Sequence, residues 1–302
     1  MKKKGTLFLA LPVGAIILAL VTLLPMRTHA MTTHSQTVGK SIPTAKVHFI
    51  RPASYRMANA GENLAYNGGP VMAGTAQVYV IFWEPTGSFV SPNYNTLIRR
   101  YFRDVGSTGL YANNSQYTDT TGAAPSNATL AGSWVDTSAY PSSTLQDSDV
   151  QNEVTIAQNS NGWTSAITHI FFVFTAQNET ICISSQCSFT TFCGYHSTFG
   201  TNTIYAAMPY VGGVQGCDTP SHPNNDDADS AINVASHEQM EAATDPLLNA
   251  WTDSTGQEIG DKCNFTFATT ASDGSDVNWK GDPYLVQEEW DNAQSSCAIT
   301  GP

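Results

Sequence analysis

Positive charge is scarce in this chain. Its 302 residues hold 13 Lys and Arg against 25 Asp and Glu, a formal net charge of −12. Residues 1–30 carry four of the basic residues (Lys2, Lys3, Lys4 and Arg27) and no acid, so residues 31–302 hold 9 basic against 25 acidic residues. So acidic a surface repels phosphate backbones and attracts cations, which excludes nucleic acid as a partner. No G-x-x-x-x-G-K-[ST] loop and no G-x-S-x-G elbow occur, which removes the common nucleotide-binding and serine-hydrolase readings. There is no internal repeat. Long apolar runs are confined to one, Leu7–Leu24, which comes after Lys2–Lys4 and precedes Thr28-His29-Ala30. That is the layout of a signal peptide over residues 1–30, with a retained anchor as the alternative because of the run's length. Either way the remainder is expected outside the cytoplasm, secreted, with no stable membrane insertion after cleavage.

Cysteine is also sparse, and none of the six precedes Cys182. No C-x2-C pair is present, so a zinc–thiolate cluster is a poor fit, and an even count in an exported chain favours disulfides. Six cysteines allow 15 pairings. Pairing of neighbours along the chain is expected: Cys182 with Cys187, Cys193 with Cys217, Cys263 with Cys297.

Residues 31–70 are polar, with Pro43, Pro52 and Gly68-Gly69-Pro70, and read as a flexible lead-in to a single domain over 71–302. Within that domain Val78–Trp83 is a short β-rich apolar run, and Tyr94–Val105 places Leu97, Ile98, Tyr101 and Phe102 at helical spacing. Next along the chain come a strand near Leu130–Val135, a helix over Asp147–Gln158, a strand at His169–Phe174, a loop-like cysteine-bearing stretch, a strand at Thr203–Tyr210 and a helix over Ala231–Thr244. The expected class is α+β: a zincin-like mixed sheet with an active-site helix and a loop-rich C-terminal part fastened by disulfides.

That last helix carries the chemistry. Ser236-His237-Glu238-Gln239-Met240-Glu241 spells H-E-x-x-E, where the zincin signature is H-E-x-x-H. His237 and Glu241, four apart on a helix, have Cβ atoms about 5–6 Å apart on one face, a separation one metal ion can span. Glu238 projects to the side, where a general base belongs. An exposed His–Glu pair is a common surface feature, but this helix is otherwise mostly Ala, Val, Ile and Met, and a polar cluster on a buried helix needs a reason. Glu258, 17 residues past Glu241, is the expected third ligand, with Asp261 the runner-up. His196 and Tyr195 are candidates for stabilising an oxyanion, against a purely structural role beside Cys193.

Four motifs in order, SHEQMEAATDP, NAW followed by EIGDKC, Cys193-Gly194-Tyr195-His196, and Tyr284 to Asn292, resemble the Exordium (phosphate-induced) family of extracellular proteins and its bacterial relatives over roughly residues 70–298. The resemblance implies a zincin-like helix and an extracellular location, and no particular reaction. The residues themselves suggest Zn2+, with Mn2+ or Ca2+ as alternatives, because a second carboxylate makes the site oxygen-rich and the ion a weaker Lewis acid. The expected activity is metallopeptidase-like hydrolysis of a peptide or cell-wall substrate, aligned on an edge strand near Tyr205–Tyr210. The alternative is a non-catalytic extracellular or cell-wall binding protein that keeps the scaffold and a structural metal.

Overall fold

The computed structural model describes residues 47–55 and 61–302. The signal peptide expected over residues 1–30 lies outside the described residues. Six strands form the main sheet: β1 (His48–Ile50), β2 (Gly74–Trp83), β3 (Pro125–Asp136), β4 (His169–Thr175), β5 (Gly194–Phe199) and β6 (Thr203–Met208), in the order β1-β5-β6-β4-β2-β3. Strands β3, β2, β4 and β6 pair in parallel, β5 runs antiparallel to β6, and β1 is antiparallel to β5. Helices α1 (Tyr94–Asp104) and α3 (Ala228–Thr244) pack on one face and α2 (Asp147–Asn161) on the other. A sheet covered on both faces needs no polar side, which is why His169–Phe174 and Thr203–Met208 read as continuous apolar runs rather than alternating ones. The class is therefore mixed α+β.

Helix α3 lies inside the molecule: all 17 of its residues are buried. Its ends are held locally. Asp226 accepts from the Ala228 and Asn93 amides (both 3.0 Å) at the start. At the other end Asp245 accepts from the Asn249 and Ala250 amides at 2.5 and 2.7 Å, and Pro246 blocks continuation. Gly194 on β5 lets the helix approach closely, since a Cβ there would meet Val234 Cγ1 at 2.6 Å.

Three expectations change. The stretch before Thr203, expected to be loop-like, contains β5, whose polar residues His196 and Ser197 mask its strand character. Strand β6, expected as a substrate-aligning edge, is interior between β5 and β4. The described part of the 31–70 lead-in is built into the fold: β1 pairs with β5, and Ala65–Tyr66 pairs with Trp251–Thr252. An uncovered β5 would leave a row of unpaired amides and carbonyls, and β1 satisfies them.

The C-terminal part is loop-rich, with hairpins Val277–Trp279/Asp282–Tyr284 and Glu289–Asp291/Ser296–Ala298. The disulfides are Cys182–Cys187, Cys193–Cys217 and Cys263–Cys297, as the neighbour pairing anticipates. The last ties the final hairpin to the short turn Asp261–Cys263. Among the described residues no helix is long and apolar enough to cross a membrane.

Candidate metal centre

Five chain segments meet at the inner face of α3. The helix presents His237, Glu238 and Glu241; β5 presents His196; β1 presents His48; the loop after the helix brings Glu258 and the turn beyond it brings Asp261. His237 Nε2 stands 2.9 Å from Glu241 Oε1 across one helical turn. The Asp261 amide donates to the same Glu241 oxygen at 3.0 Å. Gly260 makes this approach feasible: a Cβ on it would lie 2.8 Å from His237 Nδ1. Glu238 turns aside, with Oε2 3.0 Å from His196 Nδ1 and Oε1 accepting from the Ile50 amide at 3.3 Å.

Three imidazoles and three carboxylates alternate in a closed circuit. From His237, Glu241 leads by its other oxygen to His196 Nδ1 (3.5 Å), whose Nε2 is 3.6 Å from Glu258 Oε2. Glu258 Oε1 is 3.4 Å from His48 Nε2; His48 Nδ1 is 3.9 Å from Asp261 Oδ2, and Asp261 Oδ1 is 4.0 Å from His237 Nε2. Three sets of possible ligand atoms each lie within 4.8 Å of one another: His237, Glu241 and Asp261; His48, Glu241 and Glu258; His196, Glu238 and Glu241. Asp261 thus completes the set around His237, while Glu258 joins His48.

These atoms converge without bonding one another. His237 Nδ1 and Nε2, His196 Nε2, Glu241 Oε2 and both oxygens of Glu258 are buried and have no hydrogen-bond partner. Burying such groups unpaired is costly, whereas lone pairs gathered close together are what a cation requires. The charges are correspondingly displaced. Burial pulls His196 and His237 down, yet Glu238 and Glu241 outweigh it for His196 and Glu241 chiefly for His237, so they are raised to about 9 and about 10. Burial pushes Glu241 up, but His237 and His196 hold it below the carboxylate range. Glu258 is pushed well up by burial, then by Glu241, Asp245 and Asp261. A metal ion binding here would compete with such protons.

His196, His237, Glu238, Glu241 and Glu258 are fully buried, and His48 is the way in: its side chain is 19% exposed. It lines an open cavity of about 570 Å3 together with Val47, Asn67, Leu248, Asn249, Thr252 and Gly256.

Of the residues singled out from sequence, His237, Glu238, Glu241, Glu258, Asp261 and His196 come together. Tyr195 does not. Alternation along β5 turns it to the opposite face, where its hydroxyl donates to Asp147 Oδ1 at 2.7 Å and its ring packs in the α2-side core. His48 is the residue that sequence reasoning missed. The signal was Val47-His48-Phe49-Ile50, a short β-rich run hidden between Pro43 and Pro52. No protein-family description, no curated protein and no solved structure matches the chain significantly.

Proposed function

We propose that the protein is a secreted, metal-dependent hydrolase of zincin type acting on peptide bonds. The observation that carries this reading is the convergence of buried, partnerless imidazole nitrogens and carboxylate oxygens on α3, within reach of a cavity. The H-E-x-x-E spacing supports it. Three disulfides fit an oxidising, extracellular compartment. His237, Glu241 and Asp261 hold the ion. A mixed set of imidazole nitrogen and carboxylate oxygen suits Zn2+ first and Mn2+ next, and the His237 imidazole counts against Ca2+, which takes oxygen ligands. A bound divalent ion supplies Lewis acidity toward a scissile carbonyl and activates water. Glu238 takes the proton of the attacking water and returns it to the leaving amine, and His196 at 3.0 Å orients it. An extended substrate enters past His48.

The test is Glu238→Gln, assayed on a broad peptide library at pH 6 to 9 with zinc or manganese supplied. Metal content and melting temperature stay near wild type and hydrolysis falls by about 1,000-fold, within the usual range for loss of a general base. If the wild type cleaves nothing that the variant spares, the enzyme reading goes. One observation favours the alternative of a non-catalytic cell-wall binding protein with a structural metal: both Glu238 oxygens are already engaged, by Ile50 and by His196. In that case Glu238→Gln changes ligand binding little and no hydrolysis exists to lose.

A further inference from the structure

The circuit of imidazoles and carboxylates is larger than one ion needs. Around a single ion with bonds of about 2.1 Å, no two ligand atoms lie more than about 4.2 Å apart. The side chains here do not form one such group; they fall into three that share only Glu241. Each carboxylate of the circuit also faces two ways. Glu241 turns Oε1 to His237 and Oε2 to His196, Asp261 turns Oδ1 to His237 and Oδ2 to His48, and Glu258 turns Oε1 to His48 and Oε2 to His196. Carboxylates so placed bridge ions instead of serving one. The set around His196 is the least suited to a cation, because His196 Nδ1 already shares a hydrogen bond with Glu238.

Resting on the metal-centre reading above, we infer that the cluster holds two divalent cations bridged by Glu241, one on His237 and Asp261 and a second on His48 and Glu258. Glu258 is the independent sign of the second ion. It is fully buried, neither oxygen has a hydrogen-bond partner, and its two oxygens face His48 and His196, outside a one-ion site on His237, Glu241 and Asp261. The second ion lies on the cavity side, next to the partly exposed His48, and exchanges faster than the first.

The purified protein is stripped with chelator and reloaded with zinc and, in parallel, with manganese. Ions per chain are counted by elemental analysis, and the manganese form is examined by electron paramagnetic resonance. Wild type holds two ions per chain and gives an exchange-coupled manganese spectrum. His48→Ala and the near-isosteric Glu258→Gln each hold one ion and give the six-line spectrum of isolated manganese; circular dichroism and thermal melting establish that each variant is folded, and Glu258→Gln decides if His48→Ala is not. One ion in wild type, with a six-line spectrum, overturns the second site and leaves the single-ion reading standing. No ion in wild type overturns both. Two ions retained in Glu258→Gln overturn the assignment to His48 and Glu258.

Discussion

Tyr195 and His196 are neighbours on β5 that face opposite sides of one sheet, and the two sides treat buried charge differently. On the α2 side Asp147 accepts from the hydroxyls of Tyr195 and Tyr205 and, through its other oxygen, from Gln151 Nε2 at 2.7 Å. A carboxylate with three donors, in the first turn of a helix, needs no cation. Glu153 on the same helix is buried beside Asp136 and its carboxyl is pushed up to about 8, by burial first and Asp136 second, so it settles its charge by keeping a proton. On the α3 side Glu238 shares a hydrogen bond with His196 and Glu241 Oε1 accepts from the Asp261 amide, but Glu241 Oε2 and both Glu258 oxygens face imidazoles without any hydrogen bond. Burial alone does not mark a site. Glu153 too has both oxygens buried without a partner, so what marks the α3 side is such oxygens set against partnerless imidazole nitrogens.

The comparison can be broken by substitutions on each side. The largest effect is expected from Gly260→Ala, which forces a methyl group against the His237 ring. Affinity for the divalent ion on His237 and Asp261 should drop by about 100-fold, as when the supporting shell of a metal site is lost, measured by competition with a chelator. Unchanged affinity would mean that His237 and Asp261 do not act together. On the opposite side, Glu153→Gln removes a group whose folded-state pKa exceeds its unfolded value. Proton linkage sets the sign: wild type loses stability as pH rises from about 4.5 to about 8, because the folded state holds a proton that the unfolded state has released. The variant lacks that decline and is more stable at pH 9 by on the order of 2 kcal/mol after allowance for solvent screening, as urea unfolding at pH 5, 7 and 9 would show. Smallest is Tyr195→Phe. It removes one of three donors to Asp147 and should cost about 1 kcal/mol of stability with metal affinity unchanged. A tenfold fall in affinity would show that the sheet does not separate the two sides.

Much of the α3 side was legible because helical spacing is a local rule. His237, Glu238 and Glu241 come from the 3.6-residue period and the apolar background of Ala231–Thr244, and the ends of α1, α2 and β4 fall within a few residues of their sequence signals. The boundaries that moved are those set by tertiary contact. Strand β5 carries His196 and Ser197 in mid-strand, and nothing in its own composition says that α3 will cover them. Tyr195 looked equivalent to His196 in the linear motif, and only the recognition of a strand separates them, since a period of two sends adjacent residues to opposite faces. His48 was out of reach for the same reason: the short β-rich run Val47–Ile50 is too brief to stand as a strand until β5 offers an edge to pair with.

That pairing has a consequence for how the protein matures. The amide of Ile50 reaches Glu238 across 188 positions of sequence, and His48 meets Glu258 across a still longer span. Contacts so distant in sequence are the slowest to close, since the loop entropy is spent before they form. The circuit therefore exists in no single stretch of the chain: it needs β1, β5, α3 and the turn at Asp261 brought together. A divalent cation held there, as we propose, would then report that segments about 200 positions apart have met.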